Sequence, residues 1–66
     1  MNILVNGNPF ECEFGLTVAE LIERHRLRPE VTLVERNGIA LPRQQWKERS
    51  LQENDRLEIL SVAAGG

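Results

Sequence analysis

Residues 10–22, FECEFGLTVAELI, hold the two patterns that decide the fold. Apolar and polar residues alternate strictly over residues 10–14, a pattern that is typical of a half-buried β-strand. Thr17 then stands three residues before Glu20, the spacing of a capping box at a helix N-terminus. The segment therefore predicts a strand followed closely by an amphipathic helix. Three side chains of the strand are expected to face the core: Phe10, Cys12 and Phe14. Three apolar residues share one face of the helix: Val18, Leu21 and Ile22.

Four further strands are predicted from β-prone runs and the turn residues that separate them. Asn37-Gly38 is the dipeptide most typical of a two-residue hairpin, and Gly7-Asn8-Pro9 predicts the turn before residue 10. Pro29 predicts the helix end, because proline disfavours helical backbone at the residue before it. The four strands are expected at residues 2–6, 31–36, 39–41 and 56–62.

This order of elements favours one architecture. A ferredoxin-like domain needs a second long helix, which the pattern does not supply. A single helix packed across one face of a mixed sheet leaves the opposite face largely open. The predicted fold class is α+β, a β-grasp with a mixed four- to five-stranded sheet over residues 1–62 and a flexible tail at residues 63–66.

Length and composition exclude several classes of function. A chain of 66 residues forms one domain and buries only ~60% of its unfolded surface, which leaves little room for a catalytic cleft. The net charge of −2 comes without a basic stripe, so we expect no nucleic-acid partner. The single cysteine cannot form an internal disulfide. No segment resembles a membrane span or a signal peptide, so we expect no membrane partner and a cytoplasmic location.

Three side chains could have a reactive or binding function, but a structural role explains each of them better. Cys12 could be a nucleophile or a sulfur acceptor, but its alternation with two phenylalanines favours an inert core position. His25 lacks a second ligand at helical spacing, so it predicts no metal site and suits a helix C-terminus. Trp46 could anchor a partner, but a single indole in a small domain more often closes the edge of the core.

The last predicted strand carries a candidate binding surface. If Leu57 and Ile59 face the helix, the alternate residues point outward. An exposed apolar patch on a small domain tends to mark a partner site, although a covered strand face is the alternative. The predicted partner-binding patch consists of Leu4, Glu58, Leu60 and Val62.

Motifs along the whole chain carry a resemblance to a known family. They are Val5-Asn6-Gly7, Gly15-Leu16-Thr17, Asn37-Gly38, Pro42-Arg43 with Trp46, Asn54-Asp55, and Gly65-Gly66. With them the chain resembles the thiamin-biosynthesis sulfur carrier family, whose members are small ubiquitin-like proteins. Two departures are Arg36, where an apolar residue is expected before the turn, and the alanine pair at residues 63–64. Neither touches the reacting end.

The resemblance implies a carrier that partner enzymes act on, with no catalytic residue, cofactor or metal of its own. An E1-like adenylyltransferase would use ATP and Mg²⁺ to adenylate the Gly66 carboxylate. Sulfur supplied indirectly by a cysteine desulfurase would convert it to a thiocarboxylate, and thiazole synthase would receive that sulfur. Ala63, Ala64 and Gly65 carry no side chain larger than methyl, which suits threading into a narrow channel of the partner.

Other functions stay open from the sequence alone. The small subunit of molybdopterin synthase shares the fold and the glycine pair, but that family usually has longer chains. A ubiquitin-like protein modifier would undergo the same adenylation, so the sequence does not separate a carrier from a modifier. A binding module with incidental glycines is the remaining alternative.

Overall fold

A computed structural model describes residues 1–62 of the chain, and the predicted tail at residues 63–66 lies outside the described residues. The described part forms five strands, one α-helix and two 3₁₀ turns. In chain order these are β1 (Asn2–Val5), β2 (Asn8–Glu11), α1 (Val18–Arg24), a 3₁₀ turn (Pro29–Val31), β3 (Thr32–Arg36), β4 (Ile39–Ala40), a second 3₁₀ turn (Arg43–Gln45) and β5 (Arg56–Ser61).

The five strands form one mixed sheet in the order β2-β1-β5-β3-β4. The central pair, β1 and β5, is parallel, with Val5 opposite Leu57, and every other pair is antiparallel. A parallel pair needs a long crossover, and here the helix and the β3–β4 hairpin lie between the two strands in the chain. The predicted α+β class and β-grasp architecture are confirmed.

The helix packs on one face of the sheet and begins as predicted. The Thr17 hydroxyl accepts the Glu20 N–H (3.1 Å), and the Glu20 carboxylate accepts the Thr17 N–H (2.9 Å), which completes the capping box. Residues from helix, sheet and loops share one apolar core, whose members are Ile3, Val5, Cys12, Leu16, Val18, Leu21, Ile22, Val34, Trp46, Leu51, Leu57 and Ile59. Within residues 1–62, no helix has the length and apolarity needed to span a membrane.

The helix ends earlier than the prediction from Pro29. Its last residue is Arg24, and Arg26 adopts a left-handed backbone with φ of 55°. The Arg26 N–H bonds to the Glu23 carbonyl (3.0 Å) and the Leu27 N–H to the Ile22 carbonyl (3.2 Å). This pair of bonds is a Schellman motif, so the left-handed residue stops the helix before proline can act.

The first hairpin also differs from its prediction, because its turn lies at Asn6-Gly7 and not at Gly7-Asn8-Pro9. Both turn residues have positive φ, 51° and 81°, as a two-residue hairpin turn requires. Pro9 therefore falls within β2, which is an edge strand and tolerates a missing N–H. Since β2 ends at Glu11, the alternation stops before Phe14, whose side chain is 77% exposed and not in the core.

Arg36, which departs from the apolar residue expected before the hairpin turn, belongs to a polar cluster around the buried Asp55 carboxylate. Its guanidinium pairs with the Asp55 carboxylate (2.7 Å) and also donates to the Ser50 carbonyl (3.0 Å). Asn37 and the Gln52 N–H donate to the same carboxylate at 3.1 and 2.8 Å. The cluster ties the β3–β4 turn to the loop that leads into β5.

Candidate functional site

The candidate site is the outer face of β5, opposite the helix. Leu57 is 1% exposed and Ile59 is also buried, whereas Leu60 is 61% exposed. The predicted strand register is therefore confirmed, because residues two apart in a strand share a face. Glu58 and Val62 are exposed as well.

Leu33 on β3 enlarges this surface and was missed by the sequence prediction. It pairs directly with Leu60 across the strands and is largely exposed. Side chains directly opposite on one face of an antiparallel pair are in contact range. We call Leu33, Leu60 and Val62 the apolar patch.

Leu4 shares the open face but lies apart from the apolar patch. In the β1–β5 register Leu4 lies beside Arg56. Arg56 precedes Leu60 by four residues on β5, so the two positions are about 13 Å apart along the strand. Glu58 lies between these two positions on β5. The structure thus brings together three of the four predicted patch residues along β5, with Leu4 at the far end.

Hydrogen bonds on both sides hold the end of β5. The Ile59 N–H donates to Asn6 Oδ1 (2.7 Å), and Asn6 Nδ2 donates back to the Ile59 carbonyl (3.1 Å). On the other side the Val62 N–H donates to the Val31 carbonyl (2.6 Å). The asparagine side chain therefore extends the β1–β5 ladder by one step and fixes the backbone next to the apolar patch.

Acidic side chains border the apolar patch. Glu58 pairs directly with Glu35 across the strands, and like charges at directly opposite positions are destabilising. A groove of about 420 Å³ beside Leu60 is lined by both carboxylate residues, by Glu30 and by Arg43. The open face thus combines an apolar centre with a mainly acidic border.

The three side chains weighed for chemistry have structural positions. Burial raises the pKa of the Cys12 thiol, so this core side chain stays protonated and unreactive. His25 caps the helix C-terminus, with Nδ1 3.0 Å from the Leu21 carbonyl oxygen. Trp46 is buried and its indole N–H donates to the Leu41 carbonyl (2.9 Å), so the core position is confirmed. In the part of the chain that the structure describes, no group of three or more His, Cys, Asp or Glu side chains is placed to hold a metal ion.

The predicted reacting end, Gly66, lies outside the described residues, as do Ala63, Ala64 and Gly65. The described chain reaches Val62, at the edge of the apolar patch. Fold and open face together define the chain as a ubiquitin-like β-grasp protein.

Comparisons with known proteins give the family. The ThiS family model matches residues 3–66. The sulfur carrier protein ThiS of Escherichia coli (strain K12) is 35% identical over 66 residues, which cover 100% of both chains. The crystal structure of a thiamine biosynthesis protein (ThiS) from Geobacter metallireducens aligns with a TM-score of 0.85 at 32% identity, again over 100% of both chains. The chain belongs to the ThiS family, which confirms the resemblance to the thiamin-biosynthesis sulfur carriers.

One relative has a different organisation. The thiazole synthase of Magnetococcus marinus (strain ATCC BAA-1437 / JCM 17883 / MC-1) is 35% identical to this chain over 66 residues, which cover 100% of this chain and 20% of that protein. A segment similar to the whole of this chain is thus part of a longer polypeptide of that name.

Proposed function

We propose that this protein is a sulfur carrier for thiamin biosynthesis, which partner enzymes load at the Gly66 carboxylate. Membership of the ThiS family over residues 3–66 is the observation that carries the proposal. The match includes Gly65-Gly66, the segment that the chemistry needs.

The chemistry requires activation by a partner. A terminal carboxylate has a pKa of ~3.5 and is ionised at neutral pH, so it is a poor electrophile. An E1-like adenylyltransferase transfers AMP from ATP to this carboxylate, and Mg²⁺ on that enzyme offsets the charge of the pyrophosphate that leaves. The terminal sulfur of a persulfide then attacks the acyl carbon and AMP departs. A thiol cleaves the resulting sulfur–sulfur bond and leaves the Gly66 thiocarboxylate.

The residues before Gly66 suit this step. An acyl-adenylate hydrolyses in water, so the reacting end has to enter a closed, dry site. Ala63, Ala64 and Gly65 present no side chain beyond a methyl group and fit a narrow channel. The carrier contributes no acid, base or metal ligand, which the partners supply.

Thiazole synthase is the proposed acceptor of the sulfur. The Magnetococcus marinus relative supports this partner, because there a segment similar to this chain is covalently joined within a thiazole synthase. Joining two partners in one chain replaces a bimolecular encounter by a high effective concentration. A cysteine desulfurase is the proposed source of the persulfide.

The open face of β5 is the proposed docking surface for these enzymes. Leu33, Leu60 and Val62 expose apolar area, and Val62 immediately precedes residue 63 in the chain. Hydrogen bonds between Ile59 and the Asn6 side chain, and from the Val62 N–H to the Val31 carbonyl, hold the chain in place up to Val62. Docking on the apolar patch therefore positions the following residues relative to the partner's channel.

Intact-mass spectrometry of the protein isolated from sulfur-replete cells tests the proposal. We expect a species heavier by the difference between sulfur and oxygen, located at Gly66 by fragmentation. Deleting Gly66 should abolish ATP–pyrophosphate exchange with the activating enzyme and leave the thermal melt unchanged. Conjugates to lysine side chains without a thiocarboxylate would identify a protein modifier instead, and exchange at the wild-type rate in the deletion variant would refute the assignment of the carboxylate.

A further inference from the structure

A second groove lies beside the helix and adjoins the groove near Leu60, with which it shares part of its lining. Its volume is about 550 Å³, within the ~300–1,000 Å³ range of ligand clefts. The helix, the segment that follows it and the loop after β4 contribute its apolar lining, which consists of Ala19, Ile22, Leu27, Pro29 and Trp46. The proposed function uses none of these residues.

Three cations line this groove although the chain as a whole has a net charge of −2. They are Arg26, Arg43 and Lys47, and Glu23 is the one acidic residue in the lining. Among residues 1–62, none of the three cations forms an ion pair or a side-chain hydrogen bond. By contrast, Arg24, Arg28 and Arg36 are each paired with a carboxylate.

Arg26 stands in a backbone conformation that favours glycine. It occupies the left-handed position of the Schellman motif, with φ of 55°. The other non-glycine residues with positive φ in the described chain are all asparagines, which tolerate this conformation well. Backbone strain of this kind is concentrated at functional sites. Arginine at this position lowers the stability of the fold and places a cation on the rim of the groove.

We propose that this groove docks an acidic, amphipathic segment of a partner protein. Apolar side chains of the segment would fill the floor above Ile22 and Trp46, and its carboxylates would face the three cations. The apolar floor favours such a segment over a nucleic acid, which needs a longer basic track and aromatic or polar base contacts. Because the two grooves meet at Pro29, Arg43 and Trp46, a partner docked here would also reach the border of the open face.

Two synthetic peptides test the charge complementarity. One is a short helix-forming peptide of leucine and glutamate with leucines on one face, and the other has lysine in place of each glutamate. We expect the glutamate peptide to shift the amide resonances of Ala19, Leu27 and Lys47 and the fluorescence of Trp46, and the lysine peptide to shift neither. Equal binding of both peptides, or shifts confined to the open face, would overturn the proposal. Tighter binding of a single-stranded oligonucleotide than of the glutamate peptide would also overturn it.

Three single variants with a matched control separate docking from folding. Arg43→Gln and Lys47→Gln should each weaken the glutamate peptide by about two- to fivefold, the range of exposed ion pairs. Arg56→Gln removes a cation on the open face that forms no ion pair within residues 1–62, and it should leave this binding unchanged. Arg26→Gly should weaken binding and at the same time raise Tm, since glycine relieves the strain. If Arg26→Gly lowers Tm or binds as tightly as the wild type, the arginine is not retained for docking and the proposal fails.

Discussion

Two aspartate substitutions on β5, Leu57→Asp and Leu60→Asp, separate the core from the proposed docking surface. The two leucines are three residues apart on one strand and face opposite sides of the sheet, 1% and 61% exposed. The same chemical change should therefore unfold the domain at one position and weaken partner binding at the other.

The magnitudes follow from these exposures. Truncation of a buried leucine removes ~3–5 kcal/mol, and an unpaired buried carboxylate adds several kcal/mol more. A domain of this length has a total stability of about 3–10 kcal/mol, so Leu57→Asp should leave it mostly unfolded. Leu60→Asp changes an exposed side chain and should cost under ~1 kcal/mol of stability. At the interface, loss of an apolar anchor is worth about 2 kcal/mol or more, which is at least tenfold in affinity.

Thermal melts combined with titrations against the activating enzyme measure both effects. Ile39→Asp is the matched control, because Ile39 is 73% exposed on β4 and its register partner Arg36 places it on the other face of the sheet. We expect Ile39→Asp to melt and bind like the wild type. If Leu60→Asp unfolds the protein, or Leu57→Asp remains folded, the strand register is wrong by one residue. If Leu60→Asp binds as well as Ile39→Asp, the apolar patch is not the docking surface.

Four further predictions concern the polar cluster, the cysteine and the cross-strand pair. Asp55→Ala leaves the Arg36 guanidinium largely buried and without its carboxylate partner. Denaturant titration should show that the free energy of unfolding falls by about 3–5 kcal/mol. A fall of under ~1 kcal/mol would contradict the stabilising role of this cluster. Burial acts to raise the pKa of Asp55, but hydrogen bonds from Gln52, Asn37 and Arg36 outweigh it and lower that pKa. The resulting stability is present above the unfolded pKa of ~3.9 and lost as pH falls through the folded value, so Asp55→Asn should flatten the acid limb of the stability curve. Cys12→Ala should lower the free energy of unfolding by about 1 kcal/mol in the same titration and leave thiocarboxylate formation unaffected. If the folded variant no longer forms the thiocarboxylate, Cys12 is not an inert core residue. Leu33→Asp should weaken partner binding as Leu60→Asp does. The double variant should lose less binding free energy than the sum of the losses in the two single variants. Full additivity would show that the two leucines do not act as one surface.

The features that the sequence predicted correctly are local. The capping box of Thr17 and Glu20 involves residues three apart, and the β5 alternation from Leu57 to Leu60 involves one strand. Each has a geometry that the chain imposes by itself. The inward and outward residues of β5 could therefore be assigned before the sheet was known.

The first hairpin shows why turn positions are harder to predict. Asn6-Gly7 and Gly7-Asn8-Pro9 overlap, and both carry turn residues. The structure places the turn at Asn6-Gly7 because both residues reach positive φ there, which pairs Val5 with Asn8. The strand consequently starts earlier, and Phe14 falls beyond its end.

The residues that the sequence missed depend on contacts across the fold. Leu33 lies in the run Val31-Thr32-Leu33-Val34, in which Leu33 and Val34 are consecutive apolar residues, so the pattern does not show which of the two faces the core. Arg36 forms an ion pair with Asp55, which is 19 positions away in the chain, and no local sequence pattern predicts that pair. Arg26 and Lys47 converge on one groove only because the loop after β4 packs against the end of the helix.

The bonding around β5 also has a mechanical consequence. A partner could pull on the end of β5 along the axis of that strand. The hydrogen bonds to β1, to the Asn6 amide and to β3 run across that axis, on both sides of the strand. A force in this direction loads these bonds in shear, so they share it, whereas a force at right angles would open them one after another. Under the proposed function, the domain would therefore stay folded while a partner draws the tail into its channel and releases it.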